Sequence, residues 1–144
     1  MNLLRMSVLP IRIFNFSTMN KKIILLSSLL IIFIFLFSCK KNQLGGQSTI
    51  SGQVMHHSKV IANAAVFIKF NATEFPGADT LLYDSKVRAD GNGNYSFNCY
   101  KGDYFLYGFG FDYAIPAPYH VVGGLPVHIR NNEKKEINVA VTEE

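Results

Sequence analysis

Ala89-Asp90-Gly91-Asn92-Gly93-Asn94-Tyr95-Ser96-Phe97-Asn98-Cys99 decides the fold class. Asp90 to Gly93 is a run of residues that tolerate positive φ, so the chain turns there. Directly after it Tyr95, Phe97 and Cys99 alternate with Ser96 and Asn98, the period of two of a strand with one buried face. Lys101-Gly102-Asp103 turns again, and Tyr104 to Tyr113 is a long strand. Upstream, Ile50, Gly52 and Val54 alternate with Thr49, Ser51 and Gln53, and Ala64 to Phe70 alternates likewise. A Pro76-Gly77 loop separates that strand from another near Leu81 to Arg88. Downstream, a Pro- and Gly-rich loop (Pro116 to Gly124) precedes Val127 to Arg130, an Asn131 to Lys134 turn, and Ile137 to Val141. Seven short strands over residues 49–144, with no amphipathic helix, predict an all-β sandwich.

The first third of the chain has a different character. Lys21 and Lys22 precede Ile23 to Phe37, an apolar run interrupted only by Ser27 and Ser28. A membrane-spanning helix needs about 20 apolar residues, so this shorter run fits a signal peptide. It ends in Leu36-Phe37-Ser38-Cys39, which resembles the lipobox of bacterial lipoproteins. The resemblance implies that residues 1–38 are removed and that Cys39, acylated on sulfur, becomes the new N-terminus. One acyl chain holds marginally and two hold firmly, at about 0.8 kcal/mol per buried CH₂. A signal peptide beginning at Met19 has ordinary proportions, which makes Met19 the expected start of translation. Residues 39–48 are polar, contain Gly45 and Gly46, have no period, and read as a flexible tether. No acidic residue follows Cys39 closely, which favours an outer-membrane, periplasm-facing location over the cell surface.

Charge excludes one class of function. The whole 144-residue chain carries net +4, but Arg5, Arg12, Lys21 and Lys22 all precede Cys39. From Cys39 onward ten Lys and Arg balance ten Asp and Glu, so the basic pI gives no argument for nucleic acid.

Four fragments carry a second resemblance: Ile50-x-Gly52-x-Val54, Asn63-Ala64-x-Val66, Ala89-Asp90-x-x-Gly93-x-Tyr95-x-Phe97 and Gly102-x-Tyr104-x-Leu106. In this order they look like the carboxypeptidase regulatory-like domain, and the likeness covers nearly all of residues 49–142. It implies a seven-stranded transthyretin-like (prealbumin-like) sandwich without catalytic residues, which in that family usually accompanies another domain.

No constellation points to an enzyme or a cofactor. Cys99 alternates with apolar neighbours and reads as a buried, reduced thiol rather than a nucleophile beside a base. Asp90, Asn92 and Asn94 could offer oxygens to calcium, but Lys101 stands where an EF-type loop needs a carboxylate, so a hairpin turn is expected. His56 and His57 are adjacent and should point to opposite faces of a strand, while His120 and His128 lie far off. Surface histidines and no metal are expected.

The strand from Tyr104 to Tyr113 is the exception. Phe105, Tyr107, Phe109, Phe111 and Tyr113 share one face; Tyr104, Leu106, Gly108, Gly110 and Asp112 share the other. Periodicity alone buries the aromatic face, whereas the family likeness turns Tyr104 and Leu106 inward. Both hold only if a bulge at Gly108 or Gly110 flips the strand. Otherwise Phe105, Tyr107, Phe109 and Phe111, with Phe67 beside them, form an outer contact surface. The expected function is a non-catalytic, membrane-anchored module that contacts an envelope protein or itself; the alternative is a carbohydrate-binding module that uses the aromatic face as a stacking platform. The anchor is tested directly: Cys39→Ala should accumulate as an unprocessed precursor that takes up no labelled fatty acid.

Overall fold

The structure, a computed structural model, describes Ser28 and residues 41–143. The expected start at Met19, the signal peptide cleavage point and the lipidated Cys39 lie outside the described residues. Among the described residues, no helix is long and apolar enough to cross a membrane.

The architecture is all-β: β1 (Leu44–His56), β2 (Lys59–Val60), β3 (Ala65–Phe70), β4 (Ser85–Arg88), β5 (Asn94–Cys99), β6 (Gly102–Phe111), β7 (His120–Ile129), β8 (Lys134–Glu136) and β9 (Val139–Glu143). They form one curled mixed sheet in the order β2-β1-β9-β7-β6-β3-β4, with β5 and β8 also paired to β1. β1 is the hub. Its first half pairs antiparallel with β5 and parallel with β8, and its second half pairs parallel with β9 and antiparallel with β2. β8 and β9 keep one register against β1 (Thr49 opposite Lys134, Val54 opposite Val139) across a break at Ile137 and Asn138. Gly52 explains the break: a Cβ there would lie 1.8 Å from the Ile137 carbonyl oxygen. The Asn138 side chain repairs the ladder by accepting the Gln53 N–H at 2.9 Å.

The sheet curls around one core. Ile50 and Val54 of β1 meet Val66 and Ile68 of β3, Tyr95 and Phe97 of β5, Val127 and Ile129 of β7, and Val139 and Val141 of β9. Tyr104 and Leu106 of β6 are fully buried in it. The two large polar rings in the core keep partners, as buried phenols must. Tyr95 donates to the Ile137 carbonyl at 2.6 Å and Tyr104 to the Tyr100 carbonyl at 2.7 Å.

Three boundaries differ from the sequence reading. β1 begins at Leu44, inside the stretch read as tether, because Leu44 and Ser48 both reach Cys99 across an irregularity in the ladder. Ser48 is buried there and donates to the Arg130 carbonyl at 2.8 Å. β7 begins at His120, inside the expected Pro- and Gly-rich loop. Gly123 and Gly124 are strand residues chosen for close approach, since added Cβ atoms would fall 2.1 Å from Ala140 O and 2.5 Å from Leu106 O. Leu81 and Leu82 belong to a 3₁₀ turn (Thr80–Leu82) capped by Asp79, so β4 starts only at Ser85. With β2 and β8, the described residues form nine strands rather than seven.

β6 settles its own ambiguity without a bulge. Its register against both β3 and β7 is unbroken from Tyr104 to Phe109. Tyr104, Leu106, Gly108 and Gly110 therefore face the main core, and the glycines make room for it. A Cβ on Gly108 would press on Val139 and Val141, and one on Gly110 on Ile61 and Ala64. Yet Phe105 and Tyr107, on the opposite face, are buried too, together with Phe67. The segment between β3 and β4 covers them. Phe75 packs on Phe105 and Tyr107 with ring centroids at 5.7 and 5.6 Å, and Tyr83 stacks on Tyr107 at 5.4 Å. Tyr83 is anchored by donating to the Gly77 carbonyl at 3.0 Å, and burial pushes its phenol up to about 12. Asp84 ties the segment's end to β3, accepting the Phe70 N–H at 2.6 Å and pairing with Lys69 at 3.1 Å. Phe105→Ala and Tyr107→Ala should each cost about 3–5 kcal/mol in denaturant melts, through lost burial and a cavity. Phe111→Ala should stay within about 1 kcal/mol of the parent.

Candidate functional site

The covering segment stops short of the strand's end. Beyond Tyr107 the outer face of β6 continues with Phe109, half-buried, and Phe111, 45% exposed. The loop from Asp112 to Tyr119 adds Tyr113, 77% exposed, and Tyr119, 37% exposed. The rings form a row. Phe109 meets Phe111 edge-on at 5.4 Å, Phe111 and Tyr113 lie nearly parallel (13°) at 6.4 Å, and Tyr113 meets Tyr119 at 5.5 Å. His120, opposite Phe111 in the ladder, packs on Phe109 and Phe111.

Beside this row runs a groove of about 620 Å³, walled by Phe109, Phe111 and Tyr113 on one side and by Lys59, Asn63 and Arg88 on the other. The ladder places these walls. Arg88, Ala65, Phe109 and Val122 are direct cross-strand partners and so project from one face. Ala65, small and between Arg88 and Phe109, leaves the depression. Tyr119 holds a left-handed backbone (φ 64), which costs a bulky residue about 1–3 kcal/mol. Its carbonyl accepts the Asp112 N–H at 2.8 Å, and its own N–H donates to the Pro116 carbonyl at 3.1 Å.

The five aromatics read from sequence as a contact surface thus separate. Phe67, Phe105 and Tyr107 lie under the β3–β4 segment and are unavailable for stacking, because Phe75 and Tyr83 already occupy their faces. Phe109 and Phe111 do line the open groove. Sequence reasoning missed Tyr119, Asn63, Lys59 and Arg88. They come from loops and the two end strands β2 and β4, and no periodicity joins them to β6.

Under the end of β6 lies a buried polar cluster. Asp112 alternates inward and accepts from Lys59 Nζ, from His56 Nδ1 at 2.8 Å and from the Ala114 N–H at 2.9 Å. Lys59 first and then His56 hold the Asp112 carboxyl well below the usual carboxylate range. Asp112 in turn raises the His56 ring above its ordinary value, against the opposing effect of burial. The expectation of surface histidines therefore fails for His56, which is 3% exposed. The expectation of opposite faces fails as well. His57 leaves the strand with a left-handed backbone (φ 53), and the two rings sit 4.4 Å apart.

Cys99 is buried with a free thiol that burial pushes up to about 11, the opposite of an activated nucleophile. The Asp90 carboxylate accepts the Asn92 and Asn94 N–H groups, both at 2.8 Å, and the Asn94 amide at 2.9 Å. Its oxygens are spent on closing the hairpin, with Gly93 left-handed at φ 73.

No family model and no curated protein sequence matches the chain. Among solved structures it is similar to a DUF3823 family protein from Parabacteroides merdae, at 14% identity and a TM-score of 0.41, over 66% of this chain and 45% of that one. It is also similar to a protein from Pseudomonas aeruginosa described as a candidate carbohydrate-binding protein, at 13% identity and a TM-score of 0.48, over 72% of this chain and 92% of that one. The chain thus spans less than half the length of the Parabacteroides protein.

The turn chemistry at Asp90 yields a direct expectation. Adding calcium to metal-stripped protein should leave its calorimetric melting temperature unchanged, whereas calcium at a hundredfold over its dissociation constant would add about 2.7 kcal/mol if a site existed.

Proposed function

We propose that this chain is a non-catalytic carbohydrate-binding module, exported and held to a bacterial envelope membrane through acylated Cys39, facing the periplasm from the outer membrane. The observation that carries the reading is the exposed, nearly parallel pair Phe111 and Tyr113 beside a groove with Lys59, Asn63 and Arg88. Sugar rings present apolar C–H faces that stack on aromatic rings, and equatorial hydroxyls that amide, ammonium and guanidinium groups bond. Ligand sites generally combine a mostly apolar wall with a few placed polar groups, as this groove does. The domain is read as the transthyretin-like sandwich of the carboxypeptidase regulatory-like family, with β2 and β8 as additions. The single core enclosed by the curled sheet supports that reading.

A partner protein docking by strand addition is less well served. The sheet edge at β4 is four residues long and carries Lys86 and Arg88, the usual means of discouraging edge pairing. One observation does favour a protein partner at a different place: Leu81, 88% exposed, and Leu82 project from the 3₁₀ turn.

Full-length protein applied to an array of defined envelope and host oligosaccharides should bind one glycan class. Phe111→Ala and Tyr113→Ala should each weaken that binding at least tenfold, about 1.4 kcal/mol. Binding to no glycan, or binding indifferent to both substitutions, overturns the reading. Envelope-protein capture that Leu81→Asp abolishes would instead establish the protein partner.

A further inference from the structure

His56, His57 and Glu143 bring their ligand atoms within 4.8 Å of one another at the end of β1 and β9. Three features distinguish this cluster from a chance meeting of polar groups. First, His56 is buried and its Nε2 is sealed from solvent without a hydrogen-bond partner. The nearest candidate, Glu143 Oε2, lies 3.5 Å away, an ion-pair distance that makes no hydrogen bond. A buried polar atom left unsatisfied costs about 1–3 kcal/mol, so something is expected to satisfy it.

Second, the other ring nitrogen is fixed. Asp112 offers only acceptor oxygens and its second oxygen faces the Lys59 ammonium, so His56 Nδ1 carries the proton and donates it to Asp112. With Nδ1 committed to Asp112, Nε2 is the nitrogen left to face the cluster, and an ion there would take the place of the second ring proton. A carboxylate behind a histidine in this way is the arrangement that orients metal-bound imidazoles. Third, the spacing suits a small tetrahedral ion. Ligands at about 2.0–2.1 Å from zinc stand about 3.4 Å apart, near the 3.5 Å already found between His56 Nε2 and Glu143 Oε2. His57 is exposed and the Glu143 side chain is 55% exposed, so both can move to close the remaining distance around Nε2.

We propose that His56 Nε2, His57 and Glu143 bind one divalent transition-metal ion of the zinc class, with Asp112 orienting His56 from behind. Two imidazoles and a carboxylate favour such an ion over calcium or magnesium, which want oxygen-only ligands. The site is separate from the aromatic groove and does not depend on its ligand.

The test is a calorimetric titration of chelator-stripped full-length protein with zinc chloride. One ion per chain should bind, and magnesium should not. X-ray absorption of the loaded protein should show imidazole nitrogen and oxygen ligands at about 2.0–2.1 Å. His57→Gln and Glu143→Gln should each weaken binding at least tenfold, and Asp112→Asn about 10–100-fold. His56 is buried, so His56→Asn risks unfolding; the two exposed variants, checked for native circular dichroism, are therefore the decisive ones. Absence of saturable zinc binding overturns the proposal. So does binding that survives both exposed substitutions, which would place the ion elsewhere.

Discussion

A strand that is apolar on both faces must be covered twice, and β6 imposes that demand on the rest of the domain. Its inner side chains, Tyr104 and Leu106, take the core that β1, β3, β5, β7 and β9 enclose. Its outer rings, Phe105 and Tyr107, need a second cover that a single curled sheet does not supply. Fully burying a large apolar side chain contributes about 1.5–3 kcal/mol, so leaving both outside would forfeit a sizeable part of a small domain's margin. The β3–β4 segment meets the demand. It is long for a connection between paired neighbours, and its Phe75 and Tyr83 turn that length into a lid of rings. What the segment does not reach, from Phe109 onward, becomes the open face.

The same alternation that sends Phe111 outward sends Asp112 inward. A carboxylate entering an apolar core is costly unless it is paired and hydrogen-bonded, and here it meets Lys59, His56 and the Ala114 amide. Lys59 serves both sides of the strand end: its ammonium bonds Asp112, and its stem lines the groove. Removing one partner of such a cluster leaves an uncompensated buried charge, so Asp112 locks the start of the β6–β7 loop, and with it the position of Tyr113.

How much of this was legible in the sequence depends on the range of the signal. The Asp90 hairpin and the alternation of Tyr95, Phe97 and Cys99 are local patterns, and local chemistry suffices for them; the inward Tyr104 and Leu106 follow from the family likeness, because periodicity alone turns the aromatic face inward. The two-sided strand was visible as a contradiction, since the residues demanded burial on both faces. Its resolution was not, because Phe75 and Tyr83 lie in a segment without period and nothing in their spacing points back to Tyr107. Glycines misled for a related reason. Gly123 and Gly124 read as loop, yet they are strand positions emptied so that Ala140, Leu106 and Phe105 can come close. His56 and His57 failed on one dihedral: a single left-handed residue ended the alternation that would have separated them.

The groove also differs in kind from the rest of the surface. Phe111, Tyr113 and Tyr119 could be polar without loss to the core, since none of them belongs to it. Exposed rings contribute little to stability, and the left-handed Tyr119 costs about 1–3 kcal/mol. Elsewhere the domain follows its local rules closely: apolar residues alternate inward, the hairpin at Asp90 uses turn residues, and the short edge carries charge. Departures from such rules concentrate where a surface has work other than folding. Here the departures are adjacent: Phe111 and Tyr113 line one groove, Tyr119 packs on Tyr113, and their loop is held by hydrogen bonds that a merely loose loop would lack. Stability gives no reason for that arrangement; under the proposed stacking role, a loop already held by hydrogen bonds would lose little further freedom on binding.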